Sequence, residues 1–513
     1  MKKILKNTLQ VGFITFLSRV LGLARDISIA AVFGAGLYSD AFFVSFKGVD
    51  FLRKLYSEGV LSSSFIPEFT DRMAKGGPGK VFEMVNSAFV FVSILSVCLM
   101  GFGMAAAPFL LNFFAPGFDV DSYSFSLSVL LFRMMMPYTL FVALLAVCMG
   151  ILNATGRFTA SAFAPVVLNL TIILFTMLFS GLFHPPVLAV ASGVSVGGLL
   201  QLCLLVPALW KSGWVLKTGI RILHPGVLTA VKKLVPAVIG ASAVHISMIT
   251  AVFLAAGLNR GGVSYLYYAE RLVQFPVALI AGSFAIVFLP SLSKKAVTGN
   301  MANAGELVTD AARMVVFFTV PAAFGLAALN GPLVDLFFSH GAFGGADAAN
   351  TSSCLLFFIG GVWAFAGTRL FVSIFHAFSD MRIPCLAGII TIGLNLALCL
   401  LLLPKFGYRG LALSVSVSGM VNFMILLKSV SFYAELDGKK IIFSACRAIP
   451  ASVIMYFSVA VAAGKMFGEN AGFLTKILLL SGTVGAGIFV YMGVHWIFKS
   501  PEIKVLNNMI HKR

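Results

Sequence analysis

Residues 18–26 read SRVLGLARD, inside the longer stretch LKNTLQVGFITFLSRVLGLARDISIAAVFGAG (5–36). Without Arg19, Arg25 and Asp26 this is an ordinary membrane-spanning helix, apolar and long enough to cross a bilayer. With them it holds two cations and an anion near mid-span. A charged side chain at that depth is costly and faces protein or water, not lipid. The stretch therefore predicts a polar interior inside a membrane protein.

The composition agrees. Of 513 residues, 59% are hydrophobic and 11% are charged, against roughly 25% charged in soluble domains. Apolar runs of about 20 residues recur along the chain, continuous and not alternating, which favours helices over a barrel. The formal net charge is +18. The basic residues fall mostly in loops on one side, so the excess reads as the positive-inside bias and not as nucleic-acid binding. Seven cysteines stand singly in apolar runs and read as free buried thiols. Neither they nor the seven histidines form a metal-ligand spacing, so no metal and no cofactor is expected. No small-x-small cleavage site follows a clean core after MKKILKNTLQVGF (1–13), which reads as the start of a retained first helix.

The hydropathy pattern predicts an all-α integral membrane protein of fourteen helices, near 9–33, 38–66, 83–107, 126–150, 158–180, 187–209, 227–254, 263–290, 309–330, 350–376, 383–403, 408–428, 443–464 and 473–497. Lys2, Lys3, Lys6, Arg72, Lys75, Lys80, Arg157, Lys211, Lys217, Lys294, Lys295, Lys439 and Lys440 fall on one side of that layout. The other side has Arg260, Lys405, Arg409 and Lys465. The bias places both termini in the cytoplasm.

The chain also repeats itself. SIAAVFGAGL (28–37) pairs with SMITAVFLAAGL (247–258), and SFIPEF (64–69) with VFLPSL (287–292). APFLLNFFAPGF (107–118) pairs with GPLVDLFFSHGAF (331–343), and ASGVSVGGLLQ (191–201) with LSVSVSGMVNF (413–423). Four matches in one order at one offset predict two pseudo-symmetric six-helix lobes, 1–220 and 221–440, with the same membrane orientation. Residues 441–513 add two helices and a tail. Such paired lobes commonly enclose a central cavity.

The intramembrane charges cluster. The first helix has Arg19, Arg25 and Asp26, the second has Asp40, Lys47, Asp50, Arg53, Lys54 and Glu58, and the eighth has Glu270 and Arg271. At 100° per residue Asp40, Lys47, Lys54 and Glu58 fall within roughly 40° of one another, Asp50 at their edge and Arg53 well away. Mutual ion pairing, Lys54 with Glu58 among others, is one account. The other is an anionic ligand. Arg53 and Arg271 stand in corresponding helices of the two repeats, and arginine keeps its charge while offering a planar fork to phosphate. Gly22 and Pro276 are candidate bends. His376, Asp380 and Arg382 read as a cytoplasmic helix end. Asn169, Gln201, Asn395 and Asn422 read as interhelical hydrogen bonds. Arg19 and Asp26 share a helix face and Arg25 lies about 120° away. One arginine then pairs with the aspartate and the other reaches ligand or the opposite lobe, and periodicity leaves open which does which.

SRVLGLARD, FGAGLYSDAFFVSFK (33–47), FLRKLYSEG (51–59) with SFIPEF, and LYYAERLVQFP (266–276) with FLPSLSK (288–294) resemble the MurJ (MviN) family, bacterial flippases of lipid II, over nearly the whole chain. The resemblance implies a MATE-like fold with a cationic cavity and a terminal helix pair forming a groove for the lipid tail. It implies no enzyme activity. The implied action is to carry lipid II, an undecaprenyl-pyrophosphate-linked disaccharide peptide, across the bacterial inner membrane by alternating access, driven by membrane potential or an ion gradient. It assigns head-group binding to Arg19, Arg25, Arg53 and Arg271. It gives cavity charge or coupling to Asp26, Asp40, Lys47 and Glu58, beside which Asp50 and Glu270 stand as further acids. Membrane lipids and the cell-wall synthesis machinery are the implied partners. The chain departs from the family at Asp50, where asparagine is common, at Val49, where proline is frequent, and at Ala278, where glycine is usual. The alternative is another exporter of the same superfamily, either a drug or cation antiporter or a flippase of a different polyprenyl-linked oligosaccharide. A prenyl-phosphate transferase would want a DDxxD motif, which the chain lacks, and no Walker motif is present either.

Overall fold

The computed structural model describes residues 2–57, 60–114, 118–211, 214, 246–258, 260–297, 301–378, 380–466 and 472–503. Among these the chain is helical and no strand occurs. In order the helices are α1 (Lys2–Phe33), α2 (Leu37–Ser57), α3 (Val60–Ala105), α4 (Ala107–Phe114), α5 (Tyr123–Met135), α6 (Pro137–Ala154), α7 (Phe158–Leu174) and α8 (Leu188–Trp210). They continue as α9 (Ile246–Ala255), α10 (Gly262–Val297), α11 (Met301–Ala328), α12 (Asn330–Phe338), α13 (Gly345–Ile359), α14 (Val362–Ala377), α15 (Arg382–Phe406), α16 (Tyr408–Val430), α17 (Gly438–Met466) and α18 (Phe473–Ile497).

Two compact units form, Met1–Ser264 with Gly341–Phe343, and Tyr265–His340 with Gly344–Arg513. The boundary expected near residue 220 lies outside the described residues. In the first unit α7 packs on α1 and α8, α6 on α3 and α8, and α5 on α2. In the second, α11 packs on α17 and α16 on α13, α14 and α15. Nine helices among the described residues are long and apolar enough to cross a membrane, with the bent pair α13–α14 a tenth. The charge-bearing α1, α2 and α10 are not among the nine.

Several predicted spans are interrupted. The 126–150 run is two helices meeting at Met136, because Pro137 has no N–H to continue the ladder and sits instead at the start of α6. The 350–376 run bends by 53° between α13 and α14. The bend falls at Gly360–Gly361, where a Cβ on Gly361 would stand 2.6 Å from the Phe365 ring and 3.1 Å from the Ser416 Cα. Ser416 Oγ donates to the carbonyl of Phe357 at 2.7 Å, filling an acceptor that the break leaves open. Past α7 the backbone widens into a π turn over Phe175–Phe179 and then tightens into a 3₁₀ turn over Ser180–Leu182. There Gly193 lets α8 approach so closely that a Cβ would lie 2.8 Å from that of Phe175.

The loop expected between 66 and 83 is helical, since α3 runs unbroken for 46 residues and only Glu83–Ala105 of it is apolar enough to span. Polarity marks where the membrane ends, not where the hydrogen-bond ladder ends. Of the expected span 227–254 only α9 is described. Helix α10 continues through Pro276. Cys98, Cys203 and Cys446 are exposed, contrary to the buried thiols expected. A lone cysteine on an apolar helix suits a lipid-facing surface as well as a core.

The order of elements recurs. The long α3 is followed by the short α4, and α11 by the short α12, at the repeated APFLLNFF and GPLVDLFF segments. The broken pair α5–α6 is matched by α13–α14, and α7–α8 by α15–α16.

The terminal helices dock on α11. Phe317 and Leu329 pack with Ala451, Met455, Val459 and Tyr491, and Tyr491 Oη donates to the Phe317 carbonyl at 2.7 Å. Beyond α18 the chain turns back, and the fully buried Glu502 receives Arg313 at 2.8 Å and Ser500 at 2.8 Å. Burial pushes the Glu502 carboxyl up. The hydrogen bonds from Arg313 and Ser500 outweigh that and hold it below its ordinary value. A depressed carboxylate contributes stability above the ordinary carboxylate range and loses it as pH falls through the folded value. Glu502→Ala leaves Arg313 buried without that carboxylate and costs about 3–5 kcal/mol. Thermal unfolding of the purified chain reads this as a lower midpoint at neutral pH. The gap from wild type closes as pH drops below the carboxylate range.

Candidate functional site

The charges of α1 and α2 lie in the first unit. Arg25 and Asp26 are adjacent and buried, at 8% and 0% exposure. The guanidinium donates from Nη2 at 2.8 Å and from Nε at 3.0 Å to Asp26 Oδ1. Its Nη1 donates to Asn169 Oδ1 of α7 at 3.3 Å, and it stands 5.5 Å from the centroid of the Phe46 ring on α2. Asn169 Nδ2 completes the knot by donating to the Ser18 carbonyl at 3.1 Å.

The arginine that pairs with Asp26 is therefore Arg25, although Arg19 shares the face. Seven residues separate Arg19 from Asp26, about 10.5 Å along the axis at 1.5 Å per residue. Axial distance, not helical angle, decides the pair. Arg19 is exposed, and among the described residues no ion pair holds it.

On α2, Arg53 Nε donates to Asp50 Oδ1 at 2.7 Å, with the side chains 31% and 16% exposed. This i,i+3 pair gives Asp50 a partner within its own helix. Lys47 is buried. Glu58 lies outside the described residues, as does the Lys54 side chain.

Asp40, in the first turn of α2, plays a different part. Its carboxylate accepts from the backbone N–H of Gly261 at 2.6 Å and of Ser264 at 2.9 Å, and from Ser264 Oγ at 2.6 Å. Ser264 Oγ also meets Ser39 Oγ at 2.9 Å. An aspartate distant in sequence thus caps the start of α10, supplying acceptors to N–H groups without intrahelical partners and a negative charge at the positive dipole end.

In the second unit, Glu270 and Arg271 are half-buried on α10. Three residues on, Gln274 Oε1 accepts from Arg369 Nη2 of α14 at 2.5 Å. Arg369 escaped the sequence reading. Its signal was a single cation in the apolar run TRLFVSIFHA just after the Gly360–Gly361 break. Arg313 and Glu502 were also passed over, because 189 residues separate partners that only the fold brings together.

The polar residues expected between helices behave as follows. Gln201 Nε2 donates to the Ala164 carbonyl at 2.9 Å, and Asn395 Oδ1 accepts from Ser418 Oγ at 3.2 Å. Asn422 Oδ1 is buried without a partner among the described residues. At the end of α14 the Tyr433 hydroxyl donates to Asp380, whose carboxyl is held below its ordinary value first by that bond and then by the Arg382 backbone N–H.

Comparison with known proteins places this arrangement. A solved structure described as "Lipid II flippase MurJ, inward closed conformation" superposes with a TM-score of 0.80 at 26% identity, over 96% of this chain and 100% of that one. An inward-facing multidrug resistance MATE family transporter of the MOP superfamily superposes with a TM-score of 0.65 over 87% of this chain and 99% of its own, at 15% identity, a likeness of fold alone. "Probable lipid II flippase MurJ" of Buchnera aphidicola subsp. Acyrthosiphon pisum is 32% identical over 480 residues, 93% of this chain and 94% of that one. The family described as "Lipid II flippase MurJ" matches residues 29–481. This multi-pass membrane protein, with its charged helices α1, α2 and α10, belongs to the MurJ lipid II flippase family.

Proposed function

We propose that the chain carries lipid II from the cytoplasmic to the outer leaflet of the bacterial inner membrane, by alternating access and without making or breaking a covalent bond. The observation that supports this most directly is family membership over residues 29–481, joined to the presence of arginines on the charged helices α1, α2 and α10. The termini face the cytoplasm in this reading, as the basic loops argue. The cell-wall synthesis machinery is the expected neighbour.

The arginines divide by role. Arg25 is engaged by Asp26, Asn169 and the Phe46 ring and braces α1. Arg19 and Arg53 are the more exposed and take the pyrophosphate, with Arg271 as their counterpart on α10. Asp40 steadies the start of α10. Any movement of Gly261 and Ser264 away from α2 breaks three hydrogen bonds to one carboxylate, which suits a contact made in one state and released in another. Lys47, Glu58 and Glu270 supply the remaining charge, and α17 and α18 hold the undecaprenyl tail. An anion leaving an inside-negative cell gains about 2.3 kcal/mol per charge per 100 mV, so the membrane potential drives export without nucleotide.

Arg271→Ala, expressed at normal level in cells depleted of their own flippase, abolishes exposure of lipid II on the outer face. Retained exposure would sink the clamp. Asp50→Asn loosens Arg53 and tightens binding of undecaprenyl pyrophosphate to the purified chain by up to about fivefold, the worth of a half-exposed ion pair. Weaker binding would show that Asp50 orients Arg53 for ligand and does not compete for it. Asp40→Ala lowers the thermal midpoint by the equivalent of about 1–2 kcal/mol, more than Ser264→Ala does. Equal midpoints would remove Asp40 as the cap of α10.

A further inference from the structure

The seam between α1 and α7 closes at the Ser18–Asn169–Arg25 knot and opens on the side toward the start of α1. A cavity of about 320 Å³ lies there, with α6 as its third wall. Thr15 and Ser18 of α1, Met149 and Asn153 of α6, and Phe158 and Ser161 of α7 line it. Ser161 is 3% exposed and its Oγ has no hydrogen-bond partner. Such a hydroxyl has lost its water without a protein partner in exchange, which points to a partner that is not part of the chain. The Ser18 hydroxyl and the Asn153 amide also lack partners among the described residues, whereas Thr15 Oγ1 donates to the Val11 carbonyl at 2.8 Å. Among the described residues no charged side chain lines the cavity.

Three unengaged hydrogen-bonding groups, an aromatic ring and no charge describe a site for an uncharged group rich in hydroxyls and amides. Ligand pockets run from about 300 Å³ upward, so this one takes a single ring and not a whole head group. Its position is informative. Residues 15, 18 and 25 follow one face of α1, and 158, 161, 165 and 169 one face of α7. Ser18 and Arg25 stand about 10.5 Å apart along the axis. Ser18 also adjoins Arg19, which the reading above gives to the pyrophosphate, so the cavity borders the charged stretch.

We propose that this cavity is a subsite for an uncharged sugar of the lipid-linked substrate, which deepens the lipid II reading above and rests on it. Ser161 and Asn153 hydrogen-bond the sugar's hydroxyl and amide groups, and Phe158 covers its apolar face. The subsite lets the chain distinguish loaded lipid from the bare carrier, undecaprenyl pyrophosphate, which offers the arginines the same phosphates. A glycerol head group has related chemistry, so phosphatidylglycerol is the control.

The test measures binding of lipid II, undecaprenyl pyrophosphate and phosphatidylglycerol to the purified full chain by native mass spectrometry. Wild type is compared with the double variant Asn153→Ala/Ser161→Ala and with Ala162→Leu, which fills the cavity. The double variant is expected to weaken lipid II about tenfold, two hydrogen bonds of about 0.7 kcal/mol each, and to leave undecaprenyl pyrophosphate within about twofold. The alanine pair removes few atoms and decides the matter if Ala162→Leu does not fold. Unchanged lipid II binding, equal weakening of both lipid-linked ligands, or loss of phosphatidylglycerol alone overturns the subsite. A wild-type chain that binds neither lipid-linked ligand overturns the lipid II reading itself, and the subsite with it.

Discussion

Asp26 is a carboxylate with no exposure on α1 of a multi-pass membrane protein. An ion there needs a counter-ion and further hydrogen bonds, because desolvation costs several kcal/mol and removing one partner costs about 3–5 kcal/mol. Arg25 is the counter-ion, and its remaining donors recruit Asn169 from α7. Asn169 in turn seals the carbonyl of Ser18. Satisfying one buried charge therefore fixes how α1, α2 and α7 meet. It also separates two uses of arginine that share a sequence motif. Arg25 braces the bundle, and Arg19, about 9 Å away by rise per residue, is left exposed.

The same constraint recurs at three other places in the chain. The break between α13 and α14 frees backbone carbonyls, and Ser416 of α16 answers them. The start of α10 presents N–H groups that Asp40 answers from α2. The chain past α18 turns inward, and Arg313 meets its carboxylate. In each case the partner comes from a distant element, so satisfying a polar group also joins two helices.

Much of this was legible in the sequence. Apolar runs of bilayer length announced the spans, whereas the paired segments APFLLNFF and GPLVDLFF showed a repeat but not the short helices α4 and α12 that they form. Charge on α1, α2 and α10 set those helices apart from the other spans. Local interruptions were less visible. Pro137 stood in plain view, but whether a proline kinks or divides a helix depends on what packs around it. The Gly360–Gly361 bend depends on Phe365 and Ser416. Partner choice was least legible. Periodicity put Arg19 on the face of Asp26, while side-chain reach and Asn169, 144 residues away from Arg25, settled the pair otherwise. Long-range partners such as Arg313 and Glu502 leave no local pattern.

Transport of an anionic lipid through a membrane interior, powered by the field, is the central claim. Its most direct test is reconstitution of the purified chain into vesicles holding fluorescent lipid II, with a potassium gradient and valinomycin setting the potential. The account predicts protein-dependent movement of lipid II to the positive side, faster as that potential grows and reversed when its sign is reversed. Movement no faster than in protein-free vesicles, or indifferent to the potential, would contradict it.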